Sequence, residues 1–136
     1  PMLYWGKILK DNGYSPRFLL GGRKDTDILE LEAFRQVGEV FISTEDASAG
    51  EKGFVTMHSV LKGKFDKIYC CGPAPMMKAV AKIATEKGCE CEVSLENKMA
   101  CGLGACLCCV EDSKKGNVCV CSEGPVFNIK ELKWEI

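Results

Sequence analysis

Six of the ten cysteines in this 136-residue chain lie between positions 101 and 121. Cys101, Cys106 and Cys109 follow the spacing C-x4-C-x2-C, and with Cys121 the set reads C-x4-C-x2-C-x11-C. Thiolates with that opening hold plant-type [2Fe-2S] clusters, which carry single electrons. The competing chemistry is structural zinc, for which Cys106-x2-Cys109 and Cys119-x-Cys121 supply an acceptable four-thiolate set. The loop Cys101-Gly-Leu-Gly-Ala-Cys106 favours iron–sulfur. Backbone wrapping an anionic cluster turns its N–H groups inward, and glycines at 102 and 104 permit the positive φ this needs, whereas a zinc knuckle does not require it. Spacing selects Cys109 over Cys108. If the last run is a strand, Cys119 and Cys121 share a face, so alternation leaves the fourth ligand open between them.

A second candidate is Cys71-Gly-Pro-Ala-Pro-Met-Met77, where an apolar run gives way to a helical pattern. Open α/β sheets bind ligands beyond the carboxyl ends of their strands, and a helix start there favours phosphate or another electron-rich group. Gly22-Arg23 and Thr44-Glu45-Asp46 follow two further strand patterns and are expected at the same edge, so three strand ends would line one crevice. The plainer reading makes these ordinary strand-to-helix turns with Met76 and Met77 in the core. His58, the only histidine, reads as a surface or capping residue rather than a catalyst. No nucleophile–base–acid set or carboxylate pair stands out. Cys70, Cys71, Cys89 and Cys91 fall in apolar or alternating runs and read as buried small hydrophobes.

The elements that must position these residues alternate in type. Apolar positions 2, 5, 8 and 9 mark a helix closed by Gly13. A first residue already inside a helix gives the chain the look of a cut polypeptide. Strands are expected at Arg17–Gly22, Glu39–Ser43, Lys67–Cys71 and Cys89–Leu95. Helices are expected from a capping box at Asp27–Glu30 to about Gln36, from Phe54 to Leu61, and from Pro75 to Lys87. This is parallel α/β over residues 1–95. After Leu95 the pattern changes to glycine, cysteine and short β runs. A hairpin is expected from Leu107–Asp112 and Val118–Cys121 about a Lys114–Asn117 turn, followed by a tail that adds a strand or a helical turn. A module of roughly 40 residues is too small to hold itself together without a metal or covalent staple.

Net charge −1 and a pI near 5.9, with lysines interleaved among acids, leave no electrostatic footprint for nucleic acid or anionic lipid. No apolar run approaches the roughly 18 residues of a membrane span, and no export signal opens the chain. A soluble, cytoplasmic protein in a reducing compartment is expected.

Read together, Cys-Gly-Pro-x-x-Met-Met at 71–77, Met-Ala-Cys-Gly-Leu-Gly-Ala-Cys-Leu-Cys-Cys-Val at 99–110 and Cys-Ser-Glu-Gly-Pro-Val-Phe at 121–127 resemble the electron-transfer subunit of two-subunit bacterial dihydroorotate dehydrogenase. Gly21-Gly-Arg-Lys24 and Gly53-Phe-Val-Thr56 extend the likeness over the whole chain. The resemblance implies a ferredoxin-reductase-like fold, truncated: residues 1–95 as a partial NAD-binding domain and 96–136 as a small β-rich [2Fe-2S] domain. The family's FAD barrel, glycine-rich phosphate turn and first dinucleotide-domain strand are expected ahead of Pro1. The resemblance makes Cys121 the fourth ligand beside Cys101, Cys106 and Cys109, and leaves Cys108 and Cys119 as bystanders. It sets Gly22, Arg23, Thr44, Glu45 and Asp46 near the adenosine part of a dinucleotide, and Cys71, Gly72, Pro73 and Met76 near the nicotinamide. The implied relay runs from an FMN-containing catalytic subunit that oxidises dihydroorotate, through the cluster, to FAD and NAD+. The face near Leu103 and Leu107 is the implied docking face for that subunit. FAD and NAD belong to the full-length family member, and cluster without flavin is expected of this chain alone. The alternatives are a subunit of another NAD(P)H-linked oxidoreductase, of ferredoxin–NADP or sulfide type, and a zinc-stapled module without redox activity.

Overall fold

A computed structural model describes residues 1–135. The chain forms two compact units, one from Pro1 to Lys64 and one from Phe65 onward.

In the first unit, helix α1 (Met2–Asp11) is closed by the Asn12 side chain, whose amide donates to the Ile8 carbonyl at 2.8 Å. Three strands follow in the order β1 (Arg17–Gly22), β2 (Glu39–Thr44) and β3 (Glu51–Lys52), all parallel. Arg17 pairs with Glu39 and Gly22 with Thr44, so both strands end level. The short helix α2 (Leu31–Val37) makes the crossover between β1 and β2, with Phe34 edge-on to the buried Phe18 at 4.9 Å.

Two local expectations fail here for the same reason, a side chain that bonds backwards or early. Asp27 does not cap α2. Its carboxylate accepts the Arg23 and Lys24 N–H groups at 3.0 and 3.2 Å, closing a single 3-10 turn at Asp25–Asp27, and α2 starts later from Glu30. The expected helix at 54–61 is two 3-10 turns, Val55–Met57 and Ser59–Lys62. His58 divides them, because its Nδ1 accepts the Val60 N–H at 3.0 Å and gives the second turn its own cap. His58 is thus the capping residue expected, though buried rather than at the surface.

In the second unit, β4 (Lys67–Cys71) leads into α3 (Ala74–Glu86) and β5 (Glu90–Ser94), a parallel β-α-β crossover in which Cys70 pairs with Val93. A hairpin of β6 (Val110–Ser113) and β7 (Gly116–Cys119) follows, then one helical turn, α4 (Val120–Glu123), and β8 (Val126–Asn128). β8 joins β5 antiparallel, with Phe127 opposite Val93. The parallel pairings expected are present, but among the described residues each unit has its own three-stranded sheet, and that of the second takes an antiparallel strand from the C-terminal segment. Cys91, Val93, Ala81, Ala84 and Met77 pack in one core with Phe127, Leu132, Cys109 and Val120. The cysteine-rich segment therefore does not stand by itself. Its Cys109 and Val120 side chains are buried with residues of β4, β5 and α3, and the compact unit runs past residue 95 for that reason.

The hairpin is shorter than expected. Leu107–Cys109 stay outside β6, and Cys121 lies in α4 rather than on β7. The alternation that would put Cys119 and Cys121 on one strand face does not apply.

Candidate functional site

All ten cysteines are free thiols. In the 101–121 segment, backbone amides converge on three of the sulfurs, those of Cys101, Cys109 and Cys121. Leu103 and Cys106 each donate an N–H to Cys101 Sγ at 3.4 Å. Gly104 donates to Cys121 Sγ at 3.2 Å, and Cys121 donates in turn to Cys109 Sγ at 3.4 Å. Gly102 and Gly104 have φ of +70° and +75°, the left-handed values the wrap required, and they turn the intervening N–H groups to one side. Successive amides pointing into one concavity make an anion-binding nest.

The electrostatic consequence is large. The N–H groups of Leu103 and Cys106 pull the Cys101 thiol down to about 6, because they stabilise the thiolate. The Cys121 N–H lowers Cys109 in the same way. Cys121 is pushed up, first by its side-chain hydrogen bond with Cys109 and then by burial, against the pull of the Gly104 N–H. Cys119 is pushed up, chiefly by burial, and its sulfur donates to the Gly104 carbonyl at 3.7 Å. Cys108, exposed, is pushed up by its contact with Cys106.

The donor set fits a binuclear cluster in its chemistry: soft thiolates, amides directed at sulfur, and glycines that let backbone approach. Among the described residues no three His, Cys, Asp or Glu side chains converge as the ligands of a single ion.

Beside the loop, Leu103, Leu107 and Met99 are exposed, Leu103 to 82%.

In the first unit the loops after β1 and β2 are bonded to each other. Glu45 donates its N–H to the Gly22 carbonyl at 3.2 Å, and Asp46 to that of Arg23 at 3.1 Å. Thr44 is fully buried, its hydroxyl donating to the Ala49 carbonyl and accepting the Ala49 N–H. The Asp46 carboxylate accepts both the N–H and the hydroxyl of Ser48, which hold it below the usual carboxylate range. Arg23 and Glu45 are exposed. Ser48 was not singled out from the sequence, although Asp-x-Ser is the signature of such a local turn.

In the second unit, Cys71, Gly72, Pro73 and Met76 lie together where β4 passes into α3. Gly72 has φ +154°, which side-chain-bearing residues rarely adopt, and a Cβ there would lie 2.4 Å from the Met76 methyl, so a larger residue would strain the backbone and displace the flexible Met76 side chain. Cys71 donates its thiol to Glu96 Oε1 at 3.3 Å. Burial, then this carboxylate, pushes the thiol up. No local pattern could have paired residues 71 and 96, which β5 brings together.

The parallel strands with ligand-type turns at their carboxyl ends and the amide-lined cysteine loop give the class as far as the fold goes: a ferredoxin-reductase-like α/β chain with a cysteine-rich C-terminal segment. Residues 96–133 match the iron–sulfur cluster binding domain of dihydroorotate dehydrogenase B. Over nearly its whole length the chain is a homologue of the electron transfer subunit of dihydroorotate dehydrogenase B (NAD(+)). It is 41% identical to the subunit of Caldanaerobacter subterraneus subsp. tengcongensis, over 97% of this chain and 54% of that protein. It is also 41% identical to that of Clostridium perfringens, over 98% and 54%. The probable counterpart in Methanocaldococcus jannaschii is 46% identical over 85% of this chain and 46% of that protein. The chain spans about half the length of the curated relatives it matches. Among solved structures it resembles a chain of the NADH-dependent reduced ferredoxin-NADP oxidoreductase, described in relation to flavin-based electron bifurcation. The TM-score is 0.86 at 30% identity, over 98% of this chain and 49% of that one.

Among the described residues no helix is long and apolar enough to cross a membrane.

Proposed function

We propose that this chain is the cluster-bearing part of an electron-transfer subunit that serves an FMN-containing dihydroorotate dehydrogenase catalytic subunit in pyrimidine biosynthesis, with NAD+ as the final acceptor. The observation that carries this reading is the convergence of backbone N–H groups on Cys101, Cys109 and Cys121 within the segment matching the cluster-binding domain. A [2Fe-2S] cluster supplies one-electron uptake and release, which links the two-electron chemistry of flavins on either side.

Cys101, Cys106, Cys109 and Cys121 are the ligands in this reading. Gly102 and Gly104 hold the backbone open to the cluster, and Leu103, Gly104, Cys106 and Cys121 offset its negative charge with their N–H groups. Residues 96–136 are the cluster-binding domain and 1–95 a partial dinucleotide-binding domain. Gly22, Arg23, Thr44, Glu45 and Asp46 form the adenosine side, with Arg23 and Glu45 free to contact ligand and Thr44 and Asp46 holding the loop. Cys71, Gly72, Pro73 and Met76 form the nicotinamide side. FAD and NAD are cofactors of the complete subunit. The exposed Leu103, Leu107 and Met99 beside the ligands suit docking of the catalytic subunit, since electron transfer requires a short path. Ten unpaired cysteines suit a reducing cytoplasm.

The test is anaerobic mixing of the reconstituted chain with the FMN catalytic subunit and dihydroorotate. Bleaching of the cluster's visible absorbance on adding dihydroorotate is expected. A cluster that dithionite bleaches but dihydroorotate with the catalytic subunit does not would reject this donor. It would point to another NAD(P)H-linked oxidoreductase.

A further inference from the structure

We propose that Cys119, which the family resemblance leaves as a spare cysteine, is a positioning residue that sets the hydrogen bond on the ligand Cys121 and thereby the reduction potential of the site. The inference rests on the cluster reading above.

Gly104 is held on both sides. Its N–H donates to Cys121 Sγ at 3.2 Å, and its carbonyl accepts from Cys119 Sγ at 3.7 Å. Between these bonds the residue sits at φ +75°, a conformation that glycine adopts freely and that other conformations would compete with in an untethered loop. The Cys119 contact fixes the carbonyl end of Gly104, and so the direction in which its N–H points.

Cys119 is itself well anchored. Its N–H donates to Glu123 Oε2 at 2.6 Å, its carbonyl accepts from the Ser122 hydroxyl at 3.3 Å, and it is the N-terminal cap of α4. The same turn carries Cys121. The clamp and the ligand therefore belong to one turn, and Gly104 is packed against it: a Cβ on Gly104 would lie 3.1 Å from Ser122 Oγ and 3.8 Å from Cys119 Cβ. Cys119 Sγ acts as a donor to carbonyl, whereas Cys101, Cys109 and Cys121 accept from amides. That difference in role separates it from these three ligands.

N–H groups directed at ligand sulfur favour the more negative, reduced state of an iron–sulfur cluster and raise its potential. Loosening Gly104 weakens one such bond and lowers the potential.

The experiment compares wild type, Cys119→Ala, Cys119→Ser and Cys121→Ala after identical anaerobic reconstitution of the full chain. Iron and sulfide per chain, the electron paramagnetic resonance spectrum and the midpoint potential are read for each. Cys119→Ala is expected to keep wild-type iron and sulfide, to alter the resonance spectrum, and to titrate at a more negative potential. Cys119→Ser, which retains a donor, is expected between the two, and Cys121→Ala is expected to lose the cluster. A Cys119→Ala protein with wild-type potential and spectrum overturns the positioning role, and one that loses iron makes Cys119 a ligand and overturns it equally. Wild type without iron and sulfide removes the underlying cluster reading, and this inference with it.

Discussion

The second unit contains two sets of cysteines that differ in everything but residue type. Cys70 and Cys91 sit on adjacent parallel strands, buried among Met77, Val80 and Val93, and burial pushes their thiols up to about 12 and about 11. Cys101 sits in a glycine loop under two amide N–H groups and falls to about 6. A sulfur surrounded by methyl groups stays a thiol, and one surrounded by amides becomes a thiolate ready for metal. Cysteine chemistry here is assigned by backbone conformation: a pleated strand spends its N–H groups on the neighbouring strand, while left-handed glycines release theirs to sulfur.

The largest expected effect breaks the comparison directly. Cys101→Ala, or Ala at Cys106, Cys109 or Cys121, is expected to remove nearly all bound iron, whereas Cys91→Ala is expected to leave the iron content at the wild-type level. Parallel iron and sulfide assays check both. If Cys91→Ala loses iron as completely as Cys101→Ala, the division into core and ligand cysteines fails.

The two regions share a core, so damage to one should reach the other. Phe127 lies opposite Val93 and is buried to 7% exposure. Phe127→Ala is expected to cost about 3–5 kcal/mol in urea unfolding, the usual range for an emptied aromatic site. Because β8 follows α4 directly, the variant should also load iron poorly. Independent melting of the cysteine segment would contradict the shared core.

Gly72 lies between Cys70 and Cys91 in sequence. In the full-length subunit, Gly72→Ala places a methyl group against Met76 and is expected to weaken NAD binding on the order of tenfold, about 1.4 kcal/mol, with the cluster spectrum unchanged. Titration by calorimetry checks it, and unchanged affinity would remove the nicotinamide assignment.

The raised thiols make a pH prediction. Cys70 and Cys91 hold their protons longer in the folded chain than in the unfolded one, where thiols ionise near 8.5. Their contribution to stability is therefore complete below about pH 8.5 and is lost progressively as pH rises towards their folded values. Denaturant midpoints measured from neutral to alkaline pH should fall across that window, and less so in Cys70→Ala. Near pH 8 a thiol held at about 12 is ionised in only about one molecule in ten thousand. Native-state alkylation should accordingly spare Cys70 while modifying Cys108, which is exposed.

The smallest effect is a control at the surface of the same sheet. Lys67 and Glu92 are paired at 2.7 Å and partly exposed, and Lys67→Ala is expected to cost no more than about 1 kcal/mol without touching iron content.

How far the sequence was legible follows the range of the interactions. The strands Arg17–Gly22 and Lys67–Cys71 were readable to the residue, because an apolar run ending in Gly is a local signal. The positive φ at Gly102 and Gly104 was readable for the same reason. Asp27 was misread because its carboxylate had two sets of backbone donors within reach, and it bonds the earlier one. The 54–61 helix was misread because His58 offers an acceptor one turn too soon. β8 against β5, Cys71 with Glu96, and Cys119 with Gly104 join residues far apart in sequence, where no spacing rule applies. Of the site, the donor types were visible in advance. The helical turn that takes Cys121 off the β7 strand was not, since four residues carry too little periodicity to announce a helix.

The most direct test of the account is the acid-labile sulfide and iron content of the purified, anaerobically handled chain. The account expects iron and sulfide in equal amounts, in a red-brown protein that dithionite bleaches. A colourless protein holding one zinc per chain and no sulfide would contradict it.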